Sequence, residues 1–199
     1  MSMLLVGLYV ACELIANVTA GKPVMVGGIV VPAAVFLYAL TFTLIDLINE
    51  QLGKRGARQV VAIAFTANVL LAGYTQFAIW LPAAPFYRDA AAFAGVLGGT
   101  PRIVLASLVA YLVSSLLDTE VFAWWRAHVA SPKWVRVLAS NAVSTFLDSF
   151  VFIGIAFAGV LPVWPLVTGQ YLVKMGVTVL SLPLIYAARQ PVVGAEGHA

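Results

Sequence analysis

Long apolar runs alternate with short polar breaks along the whole chain. Six runs approach or exceed the roughly 20 residues a membrane-spanning helix needs: 3–20, 29–50, 58–81, 102–124, 136–160 and 163–187. The pattern predicts an all-α integral membrane protein, a single bundle of six transmembrane helices filling residues 1–190. Residues 191–199 read as a cytoplasmic tail without fixed structure. The first run has no basic segment before it and carries Glu13 and Asn17 within it. It therefore reads as a retained helix rather than a cleaved signal peptide.

Composition narrows the class further. Of 199 residues, 62% are apolar and only 10% charged, with mean hydropathy +1.00. A soluble domain carries about a quarter charged residues, so most of this surface must face lipid. The formal charge of +3 does not suggest nucleic acid, because the bases sit in short breaks between apolar runs rather than on one face. With the amino terminus cytoplasmic, Lys54, Arg55, Arg58, Arg126, Lys133, Arg136 and Arg189 fall inside, and Lys22, Arg88 and Arg102 outside. That asymmetry predicts both termini in the cytoplasm. The lone Cys12 makes no internal disulfide.

Two connections stand out. Gly21–Gly28 (GKPVMVGG) predicts an irregular outer turn. Within the outer stretch 82–101, Phe86, Ala90, Phe93 and Leu97 recur at helical spacing, predicting a short amphipathic helix. Such a helix either rests on the membrane surface or closes over an outer vestibule. The spacing of Gly95 and Gly99 is compatible with close packing in a homodimer.

Ionisable side chains inside the runs carry the functional information, because each costs about 2.5–3.5 kcal/mol near the bilayer centre on insertion scales. At about 1.5 Å rise per residue, Glu13, Asp148 and Lys174 fall near the midplane. Asp46, Glu50, Asp118 and Glu120 fall toward the cytoplasmic ends. Glu13 and Asn17 share a helix face, as do Ser140, Ser144 and Asp148, with Asn141 and Thr145 flanking. Gln170, Lys174 and Thr178 form a further stripe, and Asn68 sits at mid-depth. Facing one another, these stripes would line a hydrophilic pocket. The blander reading has Lys174 pairing with Asp148 or Asp46 only to pin two helices, and the hydroxyls only joining neighbours. The acids outnumber the single intramembrane base, so pairing cannot neutralise them all.

Residues Ser114 to Phe122 echo Ser144 to Phe152 at an offset of thirty (148 − 118), which is either coincidence in an apolar chain or a trace of the repeats common in transporters. No phosphate-binding loop, HExxH or CxxC motif occurs, and His128 and His198 lie away from the buried acids. Nothing calls for an enzyme, a cofactor or a metal.

Several segments resemble the queuosine precursor transporter family, also described as a vitamin uptake transporter family. They are Ala16-Asn17 with Gly21-Lys22, LTFTLIDLINEQLGKRGAR (Leu40–Arg58), RIVLASLVAYLVSSLLDTEVF (Arg102–Phe122), STFLDSFVFIGIAFAG (Ser144–Gly159) and YLVKMGVTVLSLPLIYA (Tyr171–Ala187). A tyrosine often precedes the glycine of the Leu40–Arg58 motif, where this chain has Leu52. The resemblance implies a six-helix carrier of the bacterial or archaeal cytoplasmic membrane that imports 7-cyano-7-deazaguanine and 7-aminomethyl-7-deazaguanine. Its fold is similar to the substrate-binding subunits of energy-coupling-factor importers, and a capture subunit for another small vitamin is the alternative. It places Asn17, Asp46, Asp118, Asp148 and Lys174 at motif positions, while Glu13 and Glu120 stand outside them. The candidate substrate-binding set is these five with Asn141, Gln170 and Glu13. Phe42, Phe146, Phe150, Phe152 and Tyr171 lie beside the polar stripes and could wall a flat ring, or simply pack.

Overall fold

The computed structural model describes residues 2–129 and 133–187. The expected tail at 191–199, which includes His198, lies outside the described residues, as does Arg189 before it. In chain order the elements are α1 (Ser2–Thr19), β1 (Pro23–Val26), β2 (Ile29–Pro32), α2 (Val35–Trp80), α3 (Ala90–Leu97), α4 (Thr100–His128), α5 (Lys133–Phe157) and α6 (Val163–Ala187). By length and composition, Arg55–Trp80 and Ala90–Ser114 could cross a membrane, and Met3–Thr19 and Asn141–Phe157 are apolar but shorter.

The fold is mostly helical, and three expectations are corrected. Where an irregular turn and a helix from residue 29 were expected, the chain forms a two-stranded antiparallel hairpin, so it is not purely α. Val26 pairs with Ile29 across Gly27-Gly28, both at positive φ (56° and 82°). A two-residue loop of that kind matches the twist of the flanking strands and favours glycine. The β-branched Val24, Val26 and Ile29–Val31 suit strands, and the helix starts only at Val35. The second correction concerns α3, which starts at Ala90 rather than Phe86. Pro82 and Pro85 disfavour helical backbone just before them. Phe86 and Tyr87 instead sit in a turn closed by Tyr87 N–H to Ala84 O at 2.9 Å.

The third correction is at residues 51–57, expected as a loop between two helices. Helical structure continues through them except at Gly53, with φ 68° and ψ 176°. That single residue reverses the chain. Tyr38 and Asn68 are 30 residues apart (68 − 38), about 45 Å in a continuous helix. Yet both reach Asn17: the Tyr38 hydroxyl at 3.3 Å and Asn68 Oδ1 at 2.8 Å. Only a helical hairpin folded at Gly53 satisfies both. The two arms of α2 then pack on α1 together, Leu44 and Ile48 from one arm joining Val60 and Ala64 from the other around Tyr9 and Cys12.

A second core joins α1, β2, α4, α5 and α6 and is rich in alanine: Ala16, Ala20, Ala106, Ala110 and Ala156. Small residues let helix backbones approach closely, the usual basis of packing in lipid. Gly169 takes this furthest, since a Cβ there would lie 2.0 Å from the Val30 carbonyl oxygen. The hairpin is thereby pressed onto α6. Arg102 donates from Nε to Ile155 O at 2.5 Å and from Nη2 to Ala158 O at 2.7 Å. It satisfies carbonyls at the end of α5 that lack helical partners, and it sets α4 antiparallel to α5.

Candidate functional site

The polar groups meet around the C-terminal half of α1. Asn17 is fully buried. Its amide donates to Asn68 Oδ1 at 2.8 Å and its oxygen accepts from the Tyr38 hydroxyl at 3.3 Å. Asn68 Nδ2 donates to Ala64 O at 3.0 Å, and Tyr38 lies 3.5 Å from the Ser107 hydroxyl. One polar chain thus links α1, both arms of α2, and α4. Apolar runs fold this way because a buried amide left without a partner costs about 1–3 kcal/mol.

Beside it lies the charged part. The Lys174 ammonium donates to Asp148 Oδ2, joining α6 to α5. Of the two partners the sequence left open, the structure selects Asp148. The ammonium also sits 5.5 Å from the centre of the Tyr38 ring, a favourable placement over the negative face of an aromatic. The two side chains keep 11% (Lys174) and 21% (Asp148) of their surface exposed, so the pair is accessible rather than sealed. Glu13 interacts electrostatically with both Lys174 and Asp148 and is within hydrogen-bonding reach of Thr41. The one proton of Thr41 bonds the Tyr38 carbonyl at 2.9 Å. Tyr9, one turn below Glu13, faces it and Tyr111.

Two buried polar atoms remain unmet. Among the described residues, Ser149 Oγ and Gln170 Nε2 are buried without a hydrogen-bond partner. Gln170 lies one helical turn from Lys174 on the same face of α6. Buried polar groups are nearly always satisfied in folded proteins, so these two atoms are exceptions among the described residues.

The structure therefore brings together Glu13, Asp148 and Lys174 and packs Asn17 alongside, with Gln170 one turn away. Asn141 is about 10 Å along α5 from Asp148, half-buried, its carbonyl accepting from Ser144 at 3.4 Å. The backbone at Asp46 lies two turns from Tyr38 toward the Gly53 bend. Asp118 is 16 residues beyond Arg102, about 24 Å, whereas Ser107, which meets Tyr38, is five beyond it, about 8 Å. Asp118 thus falls away from the cluster along α4, Asp46 lies five residues beyond Thr41, about 8 Å along α2, and both side chains are outside the described set. His128 bonds the Trp124 carbonyl at 2.9 Å and stacks on that indole at the far end of α4.

Of the aromatics, Phe152 borders the cluster, its ring edge-on to Tyr38 at 6.3 Å. Phe146, Phe150 and Tyr171 form a separate group, Phe146 lying 6.3 Å from Phe150 and 5.8 Å from Tyr171. Phe146 and Phe150 keep 43% and 42% of their surface exposed. The Phe42 side chain is outside the described set. Tyr38, Ser107 and Thr41 were not singled out in the sequence. The available signal was Tyr38 itself, since tyrosines in membrane proteins favour the interfaces and this one lies between two and three turns inside the run 29–50.

Comparison with known proteins gives a consistent grouping. Residues 32–188 match the family model described as "Putative vitamin uptake transporter". A Bacillus subtilis (strain 168) protein named "Probable queuosine precursor transporter" is 31% identical over 186 residues, covering 91% of this chain and 81% of the relative. No solved structure gives a significant match.

Proposed function

Since the chain belongs to the vitamin uptake transporter family, we propose that it is a multi-pass carrier of the cytoplasmic membrane that imports 7-deazaguanine precursors of queuosine. The observation that carries this reading is the meeting of Glu13, Asn17, Tyr38, Asn68, Ser107, Asp148 and Lys174 from five helices at one level. Substrate sites of secondary transporters sit at such a level, and intramembrane ionisable groups mark pathways. The name of the B. subtilis relative supports the substrate class.

The chemistry suits a guanine-like ring. Asp148 has acceptor capacity beyond its one bond to Lys174 and would accept from adjacent ring N–H and amino groups. The Gln170 amide would donate to the ring carbonyl or nitrile. Tyr38 and Phe152 would wall the flat face, where stacking is worth about 1–3 kcal/mol per base. Asn17, with both ends of its amide engaged, would act by holding Tyr38. Lys174 would set the charge balance. Alternate exposure would come from one helix group rocking against another.

The reading has six crossings, with the two arms of α2 counted separately, both termini in the cytoplasm and the basic Gly53 bend inside. Aromatic placement supports the depth. Trp80, Tyr87 and Trp164 are exposed toward one end and Trp124 toward the other. Arg102 and Trp124 on α4 are about 33 Å apart by helical rise, close to the roughly 30 Å of a hydrocarbon core. A homodimer is a further expectation of this reading.

Uptake of labelled 7-cyano-7-deazaguanine by proteoliposomes holding only this chain tests the proposal. Saturable uptake, lost in Asp148→Ala, is expected. Uptake that requires an added ATPase module would favour the capture-subunit alternative, and no uptake or binding of any deazaguanine would sink both.

A further inference from the structure

The two carboxyl groups and the one ammonium described at the central site balance only when one carboxyl is protonated or a further cation is present. Facing Glu13 are Tyr9 from its own helix, Tyr38 and Thr41 from α2, Asp148 from α5 and Lys174 from α6, with Tyr111 from α4 behind Tyr9. The hydroxyls are neutral. Two carboxyl groups therefore share one ammonium, and that ammonium is already bonded to Asp148. Every other Lys and Arg of the chain lies at or beyond the end of an apolar run. The Asp46 side chain, whatever its direction, can only add to the acids. A net charge held in a low-dielectric interior is costly unless something neutralises it.

Resting on the carrier reading above, we propose that the loaded site always holds one positive charge beyond Lys174, as a proton on Glu13 when the cargo is a neutral ring and as the cargo's own ammonium when it is cationic. The two queuosine precursors differ in this respect. The 7-cyano compound is neutral, and the 7-aminomethyl compound carries a protonated primary amine at neutral pH. With the neutral ring, a carboxylate oxygen of Glu13 takes a proton from water on the side where the site is open, and releases it on the other side with the cargo. With the cationic ring, the ammonium occupies the place beside Glu13 and no proton is taken. Either cargo moves one positive charge inward, so the membrane potential drives both. The buried, unpartnered Gln170 amide, one turn from Lys174, independently marks this region as built for a ligand rather than for internal pairing alone.

The signs follow from linkage. Where Glu13 is ionised in the empty site, binding of the neutral ring takes up a proton, and its affinity falls as pH rises, about tenfold per pH unit. Where Glu13 is protonated in the empty site, binding of the cationic ring expels a proton, and its affinity rises with pH by the same factor. Titration calorimetry of the full-length chain in lipid nanodiscs, in buffers of different ionisation enthalpy across the neutral range, reads both. One proton absorbed per 7-cyano ring and none absorbed for the 7-aminomethyl ring is the expected result. Glu13→Gln should remove both pH slopes and shift the affinity ratio toward the neutral ring by about tenfold. Should that variant not fold, the wild-type comparison of the two rings decides alone. Binding of both rings without proton exchange, or sodium dependence in place of it, overturns this inference and leaves the carrier reading intact. Binding of neither ring overturns both.

Discussion

The substitution Gly53→Ala isolates the residue on which the assembly of the site turns. At φ 68° and ψ 176°, Gly53 occupies a backbone region essentially restricted to glycine, where another residue costs about 1–3 kcal/mol. Steric crowding adds nothing, because a Cβ built there meets no atom within 4 Å. Alanine also reduces the freedom of the unfolded chain, which offsets about 0.4–1 kcal/mol. The net expectation is a loss of about 1–2 kcal/mol. Gly73 is the internal control: it lies in the second arm of α2, has no positive φ, and has equally open space for a Cβ. Gly73→Ala should stabilise by about 0.5–1 kcal/mol. Equilibrium unfolding in mixed micelles measures both, and the same chemical change should give opposite signs. A Gly53→Ala protein at least as stable as Gly73→Ala would refute the helical hairpin, and with it the joint approach of Tyr38 and Asn68 to Asn17.

Three further outcomes follow from single contacts. Gly169→Ala drives a methyl group to 2.0 Å from the Val30 carbonyl, so the β-hairpin should be forced off α6 at a cost of about 2 kcal/mol or more, read as a lower melting temperature and faster proteolysis near Gly27. Lys174→Met strips the counter-charge from Asp148 and Glu13. Breaking a fully buried pair costs about 3–5 kcal/mol, and the exposure remaining here (11% and 21%) reduces the expected loss to about 2 kcal/mol. Adding Asp148→Asn should recover more than half of it, and a double variant no more stable than the single one would show that the pair is not energetically coupled. Arg102→Met removes two donors from the end of α5. Arg102 is exposed, so the loss should be about 1 kcal/mol, with ligand binding unaffected.

Much of the helical layout was legible because lipid demands long apolar runs, and runs were found where the helices lie. Depth was also legible from the 1.5 Å rise, which placed Glu13, Asp148 and Lys174 at one level before any contact was known. Neighbour choice was only partly legible: the rise per residue put Asp148 at the level of Lys174 and Asp46 nearer the cytoplasmic end, yet both stayed open as partners until helix packing joined Lys174 to Asp148. Asn68 was visible as a mid-depth amide without its partner, since its bond to Asn17 depends on the reversal at Gly53. The Gly27-Gly28 pair between β-branched residues carried a hairpin signal that the apolar run from Ile29 masked, because a short apolar stretch does not distinguish strand from helix. Tyr38 and Ser107 were hidden for a different reason. A tyrosine or serine in an apolar run is usually local packing, and their importance lies in where α1 and α4 bring their partners.

Ligand-dependent unfolding of the purified chain tests the shared central site most directly. With 7-cyano-7-deazaguanine at about a hundred times Kd, binding to the folded state alone should stabilise it by about 2.7 kcal/mol. The gain should vanish in Lys174→Met and persist in Arg102→Met. Equal stabilisation of both variants, or none in the wild-type chain by any deazaguanine, would contradict a ligand site at the meeting of these helices.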